Sequence, residues 1–134
     1  VLRSKYILKY LQKTVIIFKI LKKGLKMYRD AMLTQLGYKP NEALLTQLKK
    51  IEENTTGYEK IQKHIMDLHD HLKVDNAYVA LSNTNDYFKI KIDSKTPEIA
   101  QEAHEKVSRF SDKFKVKIQK VEKKETYYII GFEH

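Results

Sequence analysis

Apolar residues in the first part of the chain return in alternating steps of four and three. Ile7, Leu11, Thr14, Phe18, Leu21, Leu25, Tyr28 and Met32 form a heptad seam of the kind that pairs helices in coiled coils. The spacing predicts one long helix. It stops at Leu36-Gly37-Tyr38-Lys39-Pro40, where glycine suits a left-handed C-terminal cap and proline prevents continuation. From Asn41 onward Leu44, Ile51, Tyr58, Ile65 and Leu72 recur every seven residues, flanked first by Leu48 and later by Ile61 and Leu68. The flank changes near EENTTG, residues 52–57, so this region is either one continuous helix or two helices with a break there.

After Asp75 the period falls to two. Tyr78 to Leu81 reads as a short strand, SNTND as a turn, and YFKIKID alternates Phe88, Ile90 and Ile92 with Lys89 and Lys91, giving one buried and one wet face. The segment SKTPEIAQEAHEKVSRF opens as a helix, with Thr96 as N-cap, Pro97 first and Glu98 near the positive end of the dipole. Ile99, Ala103, Val107 and Phe110 make its inward stripe. Next, FKVKI alternates Phe114, Val116 and Ile118 with Lys115 and Lys117, and TYYIIGF closes the chain as a strand. The expected class is α+β: a stem of two or three helices over residues 1–74, coiled-coil-like, then a small ββαββ domain over residues 76–134.

Charge changes the picture because it is uneven. Residues 1–39 hold ten Lys and Arg against one acid, Asp30; residues 40–75 hold five against seven, and residues 76–134 eleven against nine. The net +9 therefore resides in the first segment. Lys9, Lys19, Lys22, Lys23 and Lys26 form its basic surface and point to an acidic partner: anionic lipid, nucleic acid or an acidic protein face. Tyr6, Val15, Ile16, Ile17 and Ile20 widen the apolar stripe beyond a two-stranded seam, so the helix needs more than one neighbour. The apolar run Val15 to Phe18 is far short of the roughly 20 residues of a spanning helix. Cysteine is absent, which removes disulfides and thiolate chemistry.

Little suggests catalysis. The four glycines, at positions 24, 37, 57 and 131, lack the spacing of a phosphate-cradling loop. His64, Asp67 and His71 share a helical face at a spacing that suits a metal, although surface histidines beside a carboxylate fit the same pattern. Glu102 and Lys106 read as an ordinary i,i+4 pair on a solvated helix face. No nucleophile, base and orienting group come together, so the expectation is a protein with no catalytic residues, no cofactor and no metal. Phe88 and Phe114 alternate with lysine, which places Lys89, Lys91, Lys115 and Lys117 on a sheet face without aromatic platforms.

The order of elements carries a resemblance. IQKHIMDLHDHL running into AYVAL, then YFKIKID, the helix around EIAQEAHEKVSRF, FKVKI and YYIIGF resembles the PilN and PilO type inner-membrane assembly proteins of type IV pili and their type II secretion counterparts. The chain departs from them in having Asp93-Ser94-Lys95 after the second strand, where a small-residue turn is common, and in carrying no apolar spanning helix. The resemblance implies a ferredoxin-like domain on a coiled-coil stem, a membrane association through an anchor outside this sequence, and self-association or pairing with a sister protein. The expected role is a non-catalytic scaffold, dimeric or higher, whose partner interface is Ile7, Leu11, Phe18, Leu21, Leu25, Tyr28 and Met32. TYYIIGF, or the edge of AYVAL, would serve sheet extension. The alternative is a basic nucleic-acid-binding module using the first helix and the lysine sheet face.

Overall fold

A computed structural model describes residues 2–133, with side chains described from residue 12 to residue 133. Helix α1 spans Leu2–Gln35, α2 Glu42–Asn54 and α3 Tyr58–Leu72; one 3-10 turn, Lys73–Asp75, leads to strand β1, Ala77–Leu81. Strand β2, Phe88–Ile92, helix α4, Pro97–Phe114, and strands β3, Val116–Lys120, and β4, Thr126–Phe132, follow. The class is α+β, a helical part followed by a small antiparallel sheet of order β1-β2-β4-β3.

Local chemistry sets the helix ends. Gly37 takes φ +95°, and the Tyr38 N–H reaches back to the Leu33 carbonyl at 2.9 Å, which satisfies carbonyls that the last turn of α1 would otherwise leave open. Asn41 starts α2 by accepting the Leu44 N–H at 2.8 Å, and Thr96 starts α4 by accepting the Ile99 N–H at 3.2 Å; such caps contribute about 1 kcal/mol each. The EENTTG segment is a true break. Thr55, buried, turns its hydroxyl onto the Ile51 carbonyl at 2.7 Å, and Gly57, left-handed at φ +63°, precedes α3.

One core joins the last turns of α1 to everything that follows. Met32 and Leu33 from α1, with Leu36 just past its end, join Leu48 and Ile51 from α2, Ile61, Ile65 and Leu72 from α3, Ala103, Val107 and Phe110 from α4, and Val79, Phe88, Ile90 and Ile129 from the sheet. Helices α3 and α4 lie on the same sheet face. Gly131 fixes the junction between α2, α3 and β4: at φ +153° a Cβ there would stand 2.7 Å from the Thr56 nitrogen, and the Phe132 N–H donates to the Thr56 carbonyl at 2.7 Å.

Several sequence expectations change. Phe114 ends α4 instead of opening a strand, because Lys115 adopts the left-handed cap at φ 55° and donates its N–H to Ser111; Lys115 therefore belongs to no sheet face. Ile99 is 38% exposed, since the first turn of α4 overhangs the core. Lys106 leaves Glu102 and pairs with Asp75 at 2.6 Å, a buried carboxylate being the stronger attraction. Strand β4 lies between β2 and β3, so TYYIIGF is interior and has no free edge to extend. The outer edge of β1 is also occupied: its Val79 N–H donates to His69 Nδ1 at 3.0 Å and its Leu81 N–H to the Tyr38 hydroxyl at 3.1 Å.

Candidate interaction surfaces

Helix α1 is 34 residues long, about 50 Å at the standard rise, and among its described side chains only those of the last two turns are covered. Met32 is buried, whereas Phe18, Leu21, Leu25 and Tyr28 are exposed, Phe18 by 68%. These residues continue the face that buries Met32 and Leu36, because steps of three and four stay on one side of a helix. Ile7, Leu11 and Lys9 lie outside the residues whose side chains are described. Lys19, Lys22, Lys23 and Lys26 are exposed, and Lys26 stands 3.5 Å from Glu42. The firmest polar tie to the body is Arg29 Nε to Glu52 Oε2 at 2.9 Å, between side chains mostly screened from water.

The surplus apolar residues do not simply widen the seam. Ile16, Ile20 and Met27 step by four and seven, and Ile16 and Met27 lie nine residues from Leu25 and Phe18, which at 100° per residue is the opposite side of the helix. All three are more than half exposed. The exposed length of α1 thus presents two apolar stripes, the rear one set among lysines. No helix among the described residues is long and apolar enough to cross a membrane.

The sheet offers a second surface. Residues directly opposite in neighbouring strands share a face, and the register sets Tyr78 opposite Lys91 and Lys89 opposite Tyr128. Tyr87, two residues before Lys89, joins them, its ring centroid 6.2 Å from that of Tyr128. The expectation that the lysine face lacks aromatic platforms is therefore overturned. Its source was the parity of Phe88 and Phe114, which says nothing about tyrosines on other strands. Tyr87, Lys89 and Lys91 share parity in the sequence itself; Tyr128 could not be assigned, because TYYIIGF is apolar or aromatic on both sides. Burial, with the Asp93 charge second, raises the Tyr78 hydroxyl pKa. The hydrogen bond with Thr84 lowers that of Tyr128, to which the Lys124 charge adds.

Strand β3 forms the remaining sheet edge, with Lys117, Gln119 and Lys120 exposed along it. Edge lysines oppose pairing with a second strand. The helical trio separates into unrelated roles: His64 stacks on Phe114 at 3.7 Å between centroids, and His71 Nδ1 lies 2.8 Å from the Asp67 carbonyl. Among the described residues no group of three metal-ligating side chains comes together. His104 contacts the Tyr127 hydroxyl at 2.6 Å through Nδ1 and Glu125 through Nε2, on the side of the sheet that α4 covers.

Comparison with known proteins finds no matching family model, no matching curated protein and no matching solved structure.

Proposed function

We infer that this protein is a non-catalytic assembly module that associates with copies of itself through the exposed length of α1. The observation that carries the reading is the pair of exposed apolar stripes on opposite sides of residues 15–28, which continue at their C-terminal end into a folded body. Each stripe needs its own neighbour, which favours a bundle of three or more helices over a two-stranded coil. Burying Phe18, Leu21, Leu25, Ile16 and Ile20 is worth roughly 1.5 to 3 kcal/mol per side chain before ordering costs are subtracted.

The body supports this reading by having few other ways to associate. One sheet edge is occupied by His69 and Tyr38, and the other is studded with lysine. Within the proposal, α3 followed by β1-β2-α4-β3-β4 is a ferredoxin-like arrangement in which α4 crosses from β2 to β3 and β4 fills the gap between them. A helical stem on such a domain is what the resemblance to PilN and PilO type assembly proteins implies, and a pilus or secretion machine is the setting that reading suggests.

The test is the mass in solution, by light scattering at low and high salt, of the chain and of a Phe18→Asp, Leu25→Asp variant. The expected result is an oligomer that persists in salt and that the double change dissociates without loss of thermal stability in the body. A monomer in both forms would overturn the reading.

A further inference from the structure

We propose that the open sheet face binds single-stranded nucleic acid, with Tyr128, Tyr87 and Tyr78 as stacking platforms and Lys89, Lys91 and Lys124 as phosphate contacts. The site is independent of α1 and of the assembly role assigned to it.

The argument begins with the sheet. Helices α3 and α4 cover one face, and the other leaves Tyr78, Tyr87, Lys89, Lys91, Thr126 and Tyr128 half exposed. Across the strands the order on that face is tyrosine on β1, lysines on β2 and tyrosine on β4. Two strand spacings across and two residues along the strands, Tyr78 and Tyr128 stand roughly 12 Å apart, with the two lysines of β2 between them. A groove of about 550 Å³, lined in part by Lys89, Lys91, Lys124, Thr126, Thr84 and Tyr128, runs along this surface.

The chemistry selects the occupant. A chain of phosphates alone would use the lysines and the phenol hydroxyls and leave the three ring faces unused. A neutral apolar partner would gain from the rings and would leave the lysines to be desolvated at a cost. An unpaired strand of nucleotides supplies both features, because every base has a π-face and every linkage a negative charge. Two carboxylates line the groove, Asp93, exposed just past β2 and beside Tyr78, and Glu125, which is paired with His104; Lys89, Lys91 and Lys124 outnumber them. Double-stranded nucleic acid, whose bases are already stacked, offers these rings nothing. The sheet domain's own charge is mildly favourable to the encounter, since residues 76–134 hold eleven Lys and Arg against nine acids.

The experiment uses the full chain and fluorescein-labelled strands of about 12 nucleotides, a length in the range that single modules of this size occupy, as RNA and as DNA. Anisotropy is read at several salt concentrations, with inorganic polyphosphate and a duplex of the same sequence as competitors. The expected result is binding that duplex and polyphosphate displace poorly, that Tyr128→Ala weakens about tenfold or more, and that Tyr128→Phe retains. Lys89→Gln with Lys91→Gln should weaken binding and flatten its salt dependence. Changing Lys19, Lys22 and Lys23 to Gln should leave the tyrosine dependence intact. Preference between the RNA and DNA strands tells which source of the ligand the face is built for, and either preference supports the proposal. Should Tyr128→Ala lower the melting temperature, Tyr87→Ala, altering a ring outside the strands, is read instead. Equal affinity of the ring-deleted and native chains, polyphosphate competing as well as the labelled strand, or binding that follows the α1 lysines alone would each overturn it.

Discussion

The two ends of α1 obey the same sequence rule and meet opposite fates. From Arg29 to Leu36 the helix lies against α2, α3 and the core, with Leu33 fully buried; from Gln12 to Tyr28 side chains of the same kinds stand in water. Heptad spacing runs through both, so periodicity alone does not say what a stripe will touch. What distinguishes them is reach. Helix α2 has 13 residues and α3 has 15, against 34 in α1. Neither can cover the whole of its length, and the side chains from Gln12 to Tyr28 stay exposed.

The largest expected effect separates the ends by stability. Leu33→Ala should destabilise the folded chain by about 2 to 5 kcal/mol in urea unfolding, because it leaves a cavity in a closed core. Leu25→Ala, the same chemistry two turns away, should leave the unfolding free energy of the dissociated chain within about 0.5 kcal/mol of native. Equal losses at the two positions would mean that the exposed length is covered within one chain.

A smaller effect is set by pH and acts on the anchored end alone. His69 accepts the Val79 N–H at Nδ1, so its proton sits on Nε2 and is donated to the carbonyl of Gln35, in the last turn of α1, at 3.1 Å. Burial, with Lys73 second, lowers its pKa below the ordinary 6.5, against the opposing pulls of Asp70 and the Gln35 carbonyl. The unfolded chain therefore takes up a proton before the folded chain does. Stability from this group is complete above pH 6.5 and declines as pH falls below it. Melting temperatures between pH 8 and pH 5 should show the decline, and a His69→Gln chain should show less of it.

How much of this was legible in the sequence depended on whether a residue's fate is local. The change of flank at residues 52–57 left open whether the helix breaks there, whereas the caps at Gly37 and Thr96 and the buried parity of Phe88, Ile90 and Ile92 follow from near neighbours. The chain partners of strands do not. That β4 sits inside the sheet, that His69 and Tyr38 close the edge of β1, and that Tyr128 shares a face with Lys89 depend on contacts between different elements, 10 residues apart for His69 and about 40 for the others. Phe114 failed for a subtler reason: FKVKI alternates well enough to be a strand, and a single left-handed residue at Lys115 takes its first member into the helix.

Two smaller changes sharpen the contrast. Glu52→Ala removes the partner of Arg29 and should cost about 1 kcal/mol at the junction between the ends, read by urea unfolding. Gly24→Ala adds a methyl where nothing lies within 4 Å and should stabilise the exposed helix by about 0.5 to 1 kcal/mol, seen as higher helical ellipticity with the body's melting temperature unchanged.

The most direct test of the central claim is the molar mass at sedimentation equilibrium across a range of concentrations in high salt. Two apolar stripes on opposite sides of α1 predict a species of at least three times the 15.9 kDa chain mass, since a pair of helices would leave one stripe uncovered. A single species at the mass of one chain throughout the range would contradict it.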